Sequence, residues 1–454
     1  SILPPLIAIL IVFWRKEVIM ALLVAVASSE FLLAINGEGN SLFYTFINTI
    51  ERVVEVASSP GNSRILIFSI LIGALLAYIR ESGGVAATVN LLMNKGVAKS
   101  KRQVGYLTMF SGIAVFIESN LSVLTSGILS RGLFDKFKMS RARLAYIIDS
   151  TSAPVCILIL LNGWGAYVLG LLGNYEMEES AVSVLWGSIG YNFYAIITLL
   201  IVFYTITFDK VHGPLKQAED NFEQQETELA EEVKGSKARY MLVPLITLIA
   251  SMVGFMFWTG DGDIASGSGS KSVLYATILA CVVAYFLMIS SRDFTHHKLV
   301  DIGFKGMGEL LPLVAIVLLS LTLGASLKDL GTGVFVAGLV GDFLPIYLVV
   351  PVLFLTGAVI SFTTGTSWGT FAILIPIGVP LIQALGLPPS LVIAAILGGG
   401  VFGDHCSPIS DTSAVSAIAS GCDLLTHVKT QMPYALFGGA LTFIAYLVTS
   451  IIVL

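Results

Sequence analysis

The sequence predicts an all-α polytopic membrane protein of two inverted repeats, with about ten transmembrane helices, two re-entrant hairpins and two discontinuous helices. Three observations predict it: an apolar composition, recurring apolar runs of bilayer-spanning length, and polar-tipped hairpins at matching places in the two halves. Hydrophobic residues fill 56% of the 454 positions and charged residues 12%, about half the charged share of a soluble domain. Mean hydropathy is +0.88. A water-soluble chain with so little polar surface could not cover its core; a bilayer removes that need.

Apolar segments run at 2–14, 18–36, 64–82, 155–173, 181–208, 240–258, 272–290, 301–328 and 433–454. The chain opens on Ser1, which reads as a trimmed start, and residues 2–14 do not read as a cleaved signal peptide. Residues 209–239, rich in Glu, Gln and Lys, form a cytoplasmic polar linker. The Gly/Ser-rich stretch 259–271, with Asp261 and Asp263, is a loop.

Two regions do not read as simple spans. Between Lys101 and Lys136 two apolar arms flank Glu118-Ser119-Asn120. An arm of about 14 residues is about 21 Å long as a helix, short of a hydrocarbon core of roughly 30 Å. Lys95, Lys99, Lys101 and Arg102 precede this hairpin and Arg131, Lys136, Lys138, Arg141 and Arg143 follow it, which puts both ends in the cytoplasm. The re-entrant segment covers about 104–133. The second covers about 345–385, with the tip Thr363-Thr364-Gly365-Thr366-Ser367 and few basic flanks, so its ends face outside.

After each hairpin an apolar stretch breaks at a proline, at Asp149-Ser150-Thr151-Ser152-Ala153-Pro154 and at Asp404-His405-Cys406-Ser407-Pro408. Ser111-Gly112 matches Thr356-Gly357, and Glu81-Ser82-Gly83-Gly84-Val85 matches Asp329-Leu330-Gly331-Thr332-Gly333-Val334. Five crossings per half invert the second copy. The repeats are 1–208 (broken helix at 149–154) and 240–454 (broken helix at 403–408). Apart from Arg52, Arg64, Lys271 and Lys328, every Lys and Arg falls on the cytoplasmic side, whereas Glu176, Glu178 and Glu179 fall outside with loops 174–180 and 259–271. Inverted repeats with helices interrupted at matching points are the signature of alternating-access transporters.

Non-helical backbone at membrane depth needs protein or a water-filled cavity to satisfy it. The candidate substrate and ion site is therefore Glu118, Ser119, Asn120, Asp149, Ser150, Thr151, Ser152, Thr364, Gly365, Thr366, Ser367, Asp404, Ser407, Ser410 and Asp411. Hydroxyl and carbonyl oxygens are hard ligands suited to sodium, with Asn120 and Thr151 assigned to one site and Thr366 and Ser407 to the other. Carboxylates near the midplane are costly and need a reason. For Asp149 and Asp411 helix capping weighs as much as ion exchange, and for Glu118 and Asp404 ion exchange leads. Glu309 either titrates or holds a structural partner. His405-Cys406 is a weak metal motif, Trp164 and Trp368 read as lipid or core contacts, and Gly398-Gly399-Gly400 as close helix packing. Cys156, Cys281, Cys406 and Cys422 read as reduced thiols. A net charge of −5 without a basic block gives nucleic-acid binding no support.

The run Gly403-Asp404-His405-Cys406-Ser407-Pro408-Ile409-Ser410-Asp411-Thr412 closely resembles the signature of the NhaC-type sodium/proton antiporter family, within the wider ion-transporter superfamily. Gly365-Thr366-Ser367-Trp368-Gly369-Thr370, the stretch from Leu144 through Asp149 to Pro154, Trp164-Gly165-Ala166-Tyr167 and His427-Val428-Lys429-Thr430-Gln431-Met432-Pro433-Tyr434 fit the same pattern. The tip Glu118-Ser119-Asn120 departs from it and looks more like the sodium/carboxylate symporters. The resemblance implies Na+/H+ antiport with Glu118, Asp149, Asp404 and Asp411 as proton and sodium competitors. The alternative is sodium-coupled transport of an amino acid or organic carboxylate, and a remote one is an intramembrane enzyme using His405 or Cys406. No enzyme activity is expected. Sodium is the coupling ion, with no organic cofactor. The expected partners are the lipid bilayer and protons or a small organic solute, with a homodimer as candidate assembly, in the bacterial inner membrane.

Overall fold

Apolar runs with internal prolines and polar punctuation dictate many helices with abrupt ends, and the computed structural model has that character. It describes residues 2–15, 17–36, 42–93, 99–116, 118–160, 162–173, 175, 177–221, 236–264, 267–332, 335, 338 and 344–454. Lys95, Glu176, Gly333, Val334 and linker residues 222–235 lie outside the described residues. In chain order the first half contains α1 (Leu3–Arg15), α2 (Val18–Asn36), α3 (Leu42–Ser58), α4 (Pro60–Glu81), α5 (Gly84–Met93), α6 (Lys101–Ala114), α7 (Ser119–Lys136), α8 (Arg141–Ser150), α9 (Ala153–Leu158), α10 (Gly163–Leu172), α11 (Ala181–Tyr191) and α12 (Phe193–Thr207). After α13 (Gly213–Asp220) come α14 (Arg239–Thr259), α15 (Gly269–Ser290), α16 (His296–Glu309), α17 (Leu311–Asp329), α18 (Ile346–Thr364), α19 (Ser367–Leu385), α20 (Pro389–Cys406), α21 (Asp411–Ser420) and α22 (Leu424–Val453). Among the described residues, ten helical segments are long and apolar enough to cross a membrane, with α11 and α12 counting as one.

Several expected segments differ. The run 301–328 is two helices rather than one. Pro312 supplies no backbone N–H and disfavours helical geometry in the residue before it, so α16 ends at Glu309 and α17 restarts with Pro312 in its first turn. The run 155–173 is likewise divided. Asn162 stops it by accepting from the Trp164 and Gly165 amides (2.9 and 3.2 Å) while donating to the Phe116 and Cys156 carbonyls. α1, at 13 residues, is too short to cross alone. The arms of the second hairpin, α18 and α19, have 19 residues each, about 28 Å at 1.5 Å per residue, so each is near spanning length. α3 lies in a region not read as an element. It is amphipathic, exposing Phe43, Phe46 and Ile50 and turning Arg52 toward buried Glu30 at 3.0 Å.

Close helix crossings lock the elements that carry the site. Gly73 of α4 faces Gly306 of α16 so tightly that a Cβ on either would lie 2.3 or 2.2 Å from the other's carbonyl oxygen. Gly399 and Gly403 of α20 meet the α18 backbone in the same way, close approach being how membrane helices gain packing without a hydrophobic drive. Gly127 of α7 fits against Ala419 of α21. Outward-facing Leu200, Ile246 and Phe286 are exposed to lipid. All four cysteines are free thiols.

Candidate functional site

Both proline breaks and both hairpin tips are interruptions of helix, and they meet. α8 ends at Ser150 and α9 begins at Ala153, while α20 ends at Cys406 and α21 begins at Asp411. At the second tip Gly365 adopts φ 68°, where a side chain is strained, and a Cβ there would lie 2.5 Å from the Ile409 carbonyl oxygen. The tip thus presses directly on the 407–410 break. Ser407 Oγ donates to the Phe362 carbonyl at 2.7 Å, closing the same junction.

Glu118 is the N-cap of α7, accepting from the backbone amides of Asn120 (3.0 Å) and Leu121 (2.7 Å). Such a carboxylate satisfies two orphan donors and complements the helix dipole. Ser119 Oγ lies 3.4 Å from it. Asp411 opens α21 one residue after its N-cap, Ser410, whose oxygen accepts from the Ser413 amide. One Asp411 oxygen accepts from its neighbour's amide, Thr412 at 2.9 Å, and the other from Asn120 Nδ2 at 3.3 Å. The packed helices α7 and α21 therefore bring the two halves together tip to break. Asn120 reaches Asp411, whereas Thr151, assigned with Asn120 to one sodium site, donates back to the Ile147 carbonyl at 2.8 Å and faces Gly112. Thr364 also donates within its own helix, to Ile360. Thr366 caps α19.

Asp404, 2% exposed in the last turn of α20, accepts from Ser367 Oγ at 2.8 Å through Oδ2. Its Oδ1 is buried without a protein partner among the described residues. Ser361, whose Oγ is equally unpartnered, packs against neighbouring Gly403. Asp149 sits in a separate buried network. Its Oδ2 accepts from Gln431 Nε2 (2.7 Å) and Ser413 Oγ (3.3 Å) and lies 3.0 Å from His427 Nε2. Gln431 Nε2 also donates to the His405 carbonyl, Ser152 Oγ donates to the Asp149 carbonyl, and the His405 ring bridges Ser150 Oγ (3.1 Å) and the Tyr194 hydroxyl (2.8 Å). His405 is thus a hydrogen-bonded linchpin of the fold. No group of three or more His, Cys, Asp or Glu suited to a metal occurs among the described residues.

A cavity of about 430 Å³ lies beside the two hairpin tips and Asp411, and Asp149, Thr151, Asp404 and Ser407 are not among its lining residues. Glu118, Asn120, Thr366 and Asp411 form one wall. Trp164, Tyr167 and Trp368 form an aromatic wall, with ring centroids 5.1 Å apart for Trp164–Trp368 and 4.9 Å for Tyr167–Trp368. The two tryptophans are therefore core contacts, as expected, and also line the cavity. Arg80 and Glu309 form the third wall, Nη2 lying 2.9 Å from both carboxylate oxygens, so Glu309 holds a structural partner. Sequence reasoning did not single out Arg80, Tyr194, Ser361 or Ser413. The i, i+4 pair His427 and Gln431 was visible as a motif without a role.

Residues 155–451 match the Na+/H+ antiporter family. An uncharacterized protein of Haemophilus influenzae is 30% identical over 99% of this chain and 90% of its own length. The malate-2H+/Na+-lactate antiporter of Bacillus subtilis is 37% identical over 21% of this chain and 19% of its own. The fold is similar to that of Neisseria gonorrhoeae MtrF, described as illuminating a class of antimetabolite efflux pumps, with TM-score 0.63 at 15% identity, covering 91% of this chain and 85% of that one. With the helical architecture, these findings make the chain a multi-pass secondary transporter of the bacterial plasma membrane that belongs to the Na+/H+ antiporter family.

Proposed function

We propose that the protein exchanges sodium for protons by alternating access, with Asp404 as the exchanging carboxylate. The observation that carries this reading is a buried carboxylate whose Oδ2 accepts from the neutral Ser367 hydroxyl and whose Oδ1 is unpartnered among the described residues. Asp149 Oδ1 is unpartnered too, but its Oδ2 is already held by His427, Gln431 and Ser413. A buried polar atom left without a partner costs free energy and calls for an explanation. A hard cation bound to Asp404 Oδ1, or a proton on Oδ1, supplies one, and the unpartnered Ser361 hydroxyl, whose Cβ packs beside Gly403, is a candidate second ligand. The two states exclude each other, so arrival of one ion expels the other. Asp411 and Asn120 extend the site toward the cavity, with Asn120 and Thr151 proposed as ligands of one sodium site and Thr366 and Ser407 of the other. The halves 1–208 and 240–454 act as inverted repeats moving about this junction.

A second reading, sodium-coupled carriage of an organic solute, is favoured by the cavity. Its 430 Å³ lies within the range of small-molecule pockets, about 300–1,000 Å³, and far exceeds what a bare ion needs. The malate/lactate relative supports it through its name alone. Proteoliposomes with an internal pH dye and a sodium tracer separate the readings. Sodium-driven proton movement without added solute is expected for antiport. Sodium uptake that waits on an organic solute, with no proton movement, overturns the leading reading in favour of the second.

A further inference from the structure

The charge around the cavity discriminates among organic solutes. Four charged side chains line it: Arg80, Glu118, Glu309 and Asp411. One cation therefore faces three carboxylates. Glu118 accepts from two backbone amides and Asp411 from the Thr412 amide and Asn120, so neither offers a positive partner to a solute's carboxylate. A dianion entering this space meets one guanidinium and repulsion from the rest, and taking Arg80 from Glu309 would strand Glu309 without its partner. A solute carrying one carboxylate and one ammonium group meets no such penalty. Its carboxylate replaces Glu309 on Arg80 while its ammonium replaces Arg80 on Glu309, and net charge is conserved.

The local geometry fits that exchange. The Arg80 and Glu309 side chains are 38% and 41% exposed, accessible on the cavity rather than sealed between helices. A guanidinium binds a carboxylate through two parallel N–H donors. Trp164, Tyr167 and Trp368 line the same cavity, and aromatic faces suit an apolar or aromatic side chain and attract cations. Trp164 is 2% exposed, and its indole Nε1 is buried without a protein acceptor among the described residues.

We propose that this cavity binds a zwitterionic amino acid, with Arg80 holding its carboxylate, Glu309 its ammonium and the Trp164–Tyr167–Trp368 wall its side chain. The proposal rests on the organic-solute reading above and narrows it from any organic solute to a zwitterion.

The test uses purified full-length protein in detergent. Melting temperature is scanned against the twenty amino acids, malate and succinate. For each amino acid that stabilises, the corresponding amine and the deaminated acid are also measured. At least one amino acid is expected to raise the melting temperature, with neither half-molecule doing so at the same concentration. Arg80→Gln and Glu309→Gln should each weaken its Kd tenfold or more, Arg80→Lys less, and Trp164→Phe about threefold with the unliganded melting temperature kept. Stabilisation by malate or succinate but no amino acid overturns the proposal. So does amino-acid binding unchanged in Arg80→Lys, Glu309→Gln and Trp164→Phe. Sodium flux in wild-type proteoliposomes is read in parallel. Amino-acid binding without sodium-coupled flux supports the site and overturns the transport reading, whereas solute-dependent sodium flux of a dicarboxylate overturns the site and keeps that reading.

Discussion

Replacing Asp404 by Asn tests the exchange chemistry at its centre. The amide retains an acceptor for Ser367 Oγ, 2.8 Å away in the wild type, and places an NH2 where Oδ1 now lies without a partner. An unsatisfied buried donor costs about 1–3 kcal/mol. Against this, removing a carboxylate from the membrane interior saves about 2.5–3.5 kcal/mol where it is ionised. These nearly offset, so the variant should fold and melt within a few degrees of wild type. Function should respond quite differently. An amide neither takes up nor releases a proton at working pH, so sodium-driven proton release should fall to the level of empty liposomes. Sodium binding should weaken, since a contact with a charged group is worth about 1.5–3 kcal/mol, or roughly 10- to 150-fold in affinity. Reconstituted vesicles with a pH-sensitive dye measure the first effect, and sodium-dependent thermal stabilisation the second. Proton release within threefold of wild type in folded Asp404→Asn protein would refute the assignment.

Alanine at Asn120, Thr151, Thr366 or Ser407 should raise the sodium concentration for half-maximal transport about three- to tenfold, one neutral hydrogen-bonding oxygen being worth about 0.5–1.5 kcal/mol; unchanged sodium dependence in all four removes them from the site. Gly306→Leu should lower the melting temperature, because its Cβ alone would lie 2.2 Å from the Gly73 oxygen and overpacking costs about 1–3 kcal/mol or more; a neutral outcome would show that α4 and α16 separate easily. Single cysteines in place of Glu178 and Lys216, in a cysteine-free background, should label from opposite faces of the membrane, and labelling from one face would end the inverted-repeat topology. In the loop after α15, hydrogen bonds from Lys237 and Tyr240 (2.6 Å each) hold the Asp293 carboxyl down to about 2. A lowered carboxyl contributes stability above its unfolded value near 3.9, lost as pH falls toward 2. The melting-temperature gap between wild type and Asp293→Asn should hold steady from pH 7 to 5 and shrink below 4, as circular dichroism can follow.

How much was legible follows from what is local. Apolar run length decides membrane burial before any contact forms, and Pro154 and Pro408 mark breaks because a missing N–H and a ring clash act within one turn. Pro312 carries the same local information, but inside a long apolar run a proline does not by itself distinguish a kink from a helix end. Carboxylates in apolar surroundings were equally visible, since ionised groups there need a reason. Their roles were not, because a capping carboxylate and an exchanging one look alike until partners are known. Glu118 meets two amides of its own helix, whereas Asp404 is satisfied on one side only. Composition and spacing by themselves determined a polytopic helical protein, its four helix interruptions and the pool of candidate residues. Only tertiary structure decided that Asn120 reaches Asp411 across the halves, that Arg80 meets Glu309 229 positions away, and that two tryptophans line a cavity. Those pairings arise from helix packing between distant segments, and no periodicity within either segment encodes which partner it will face.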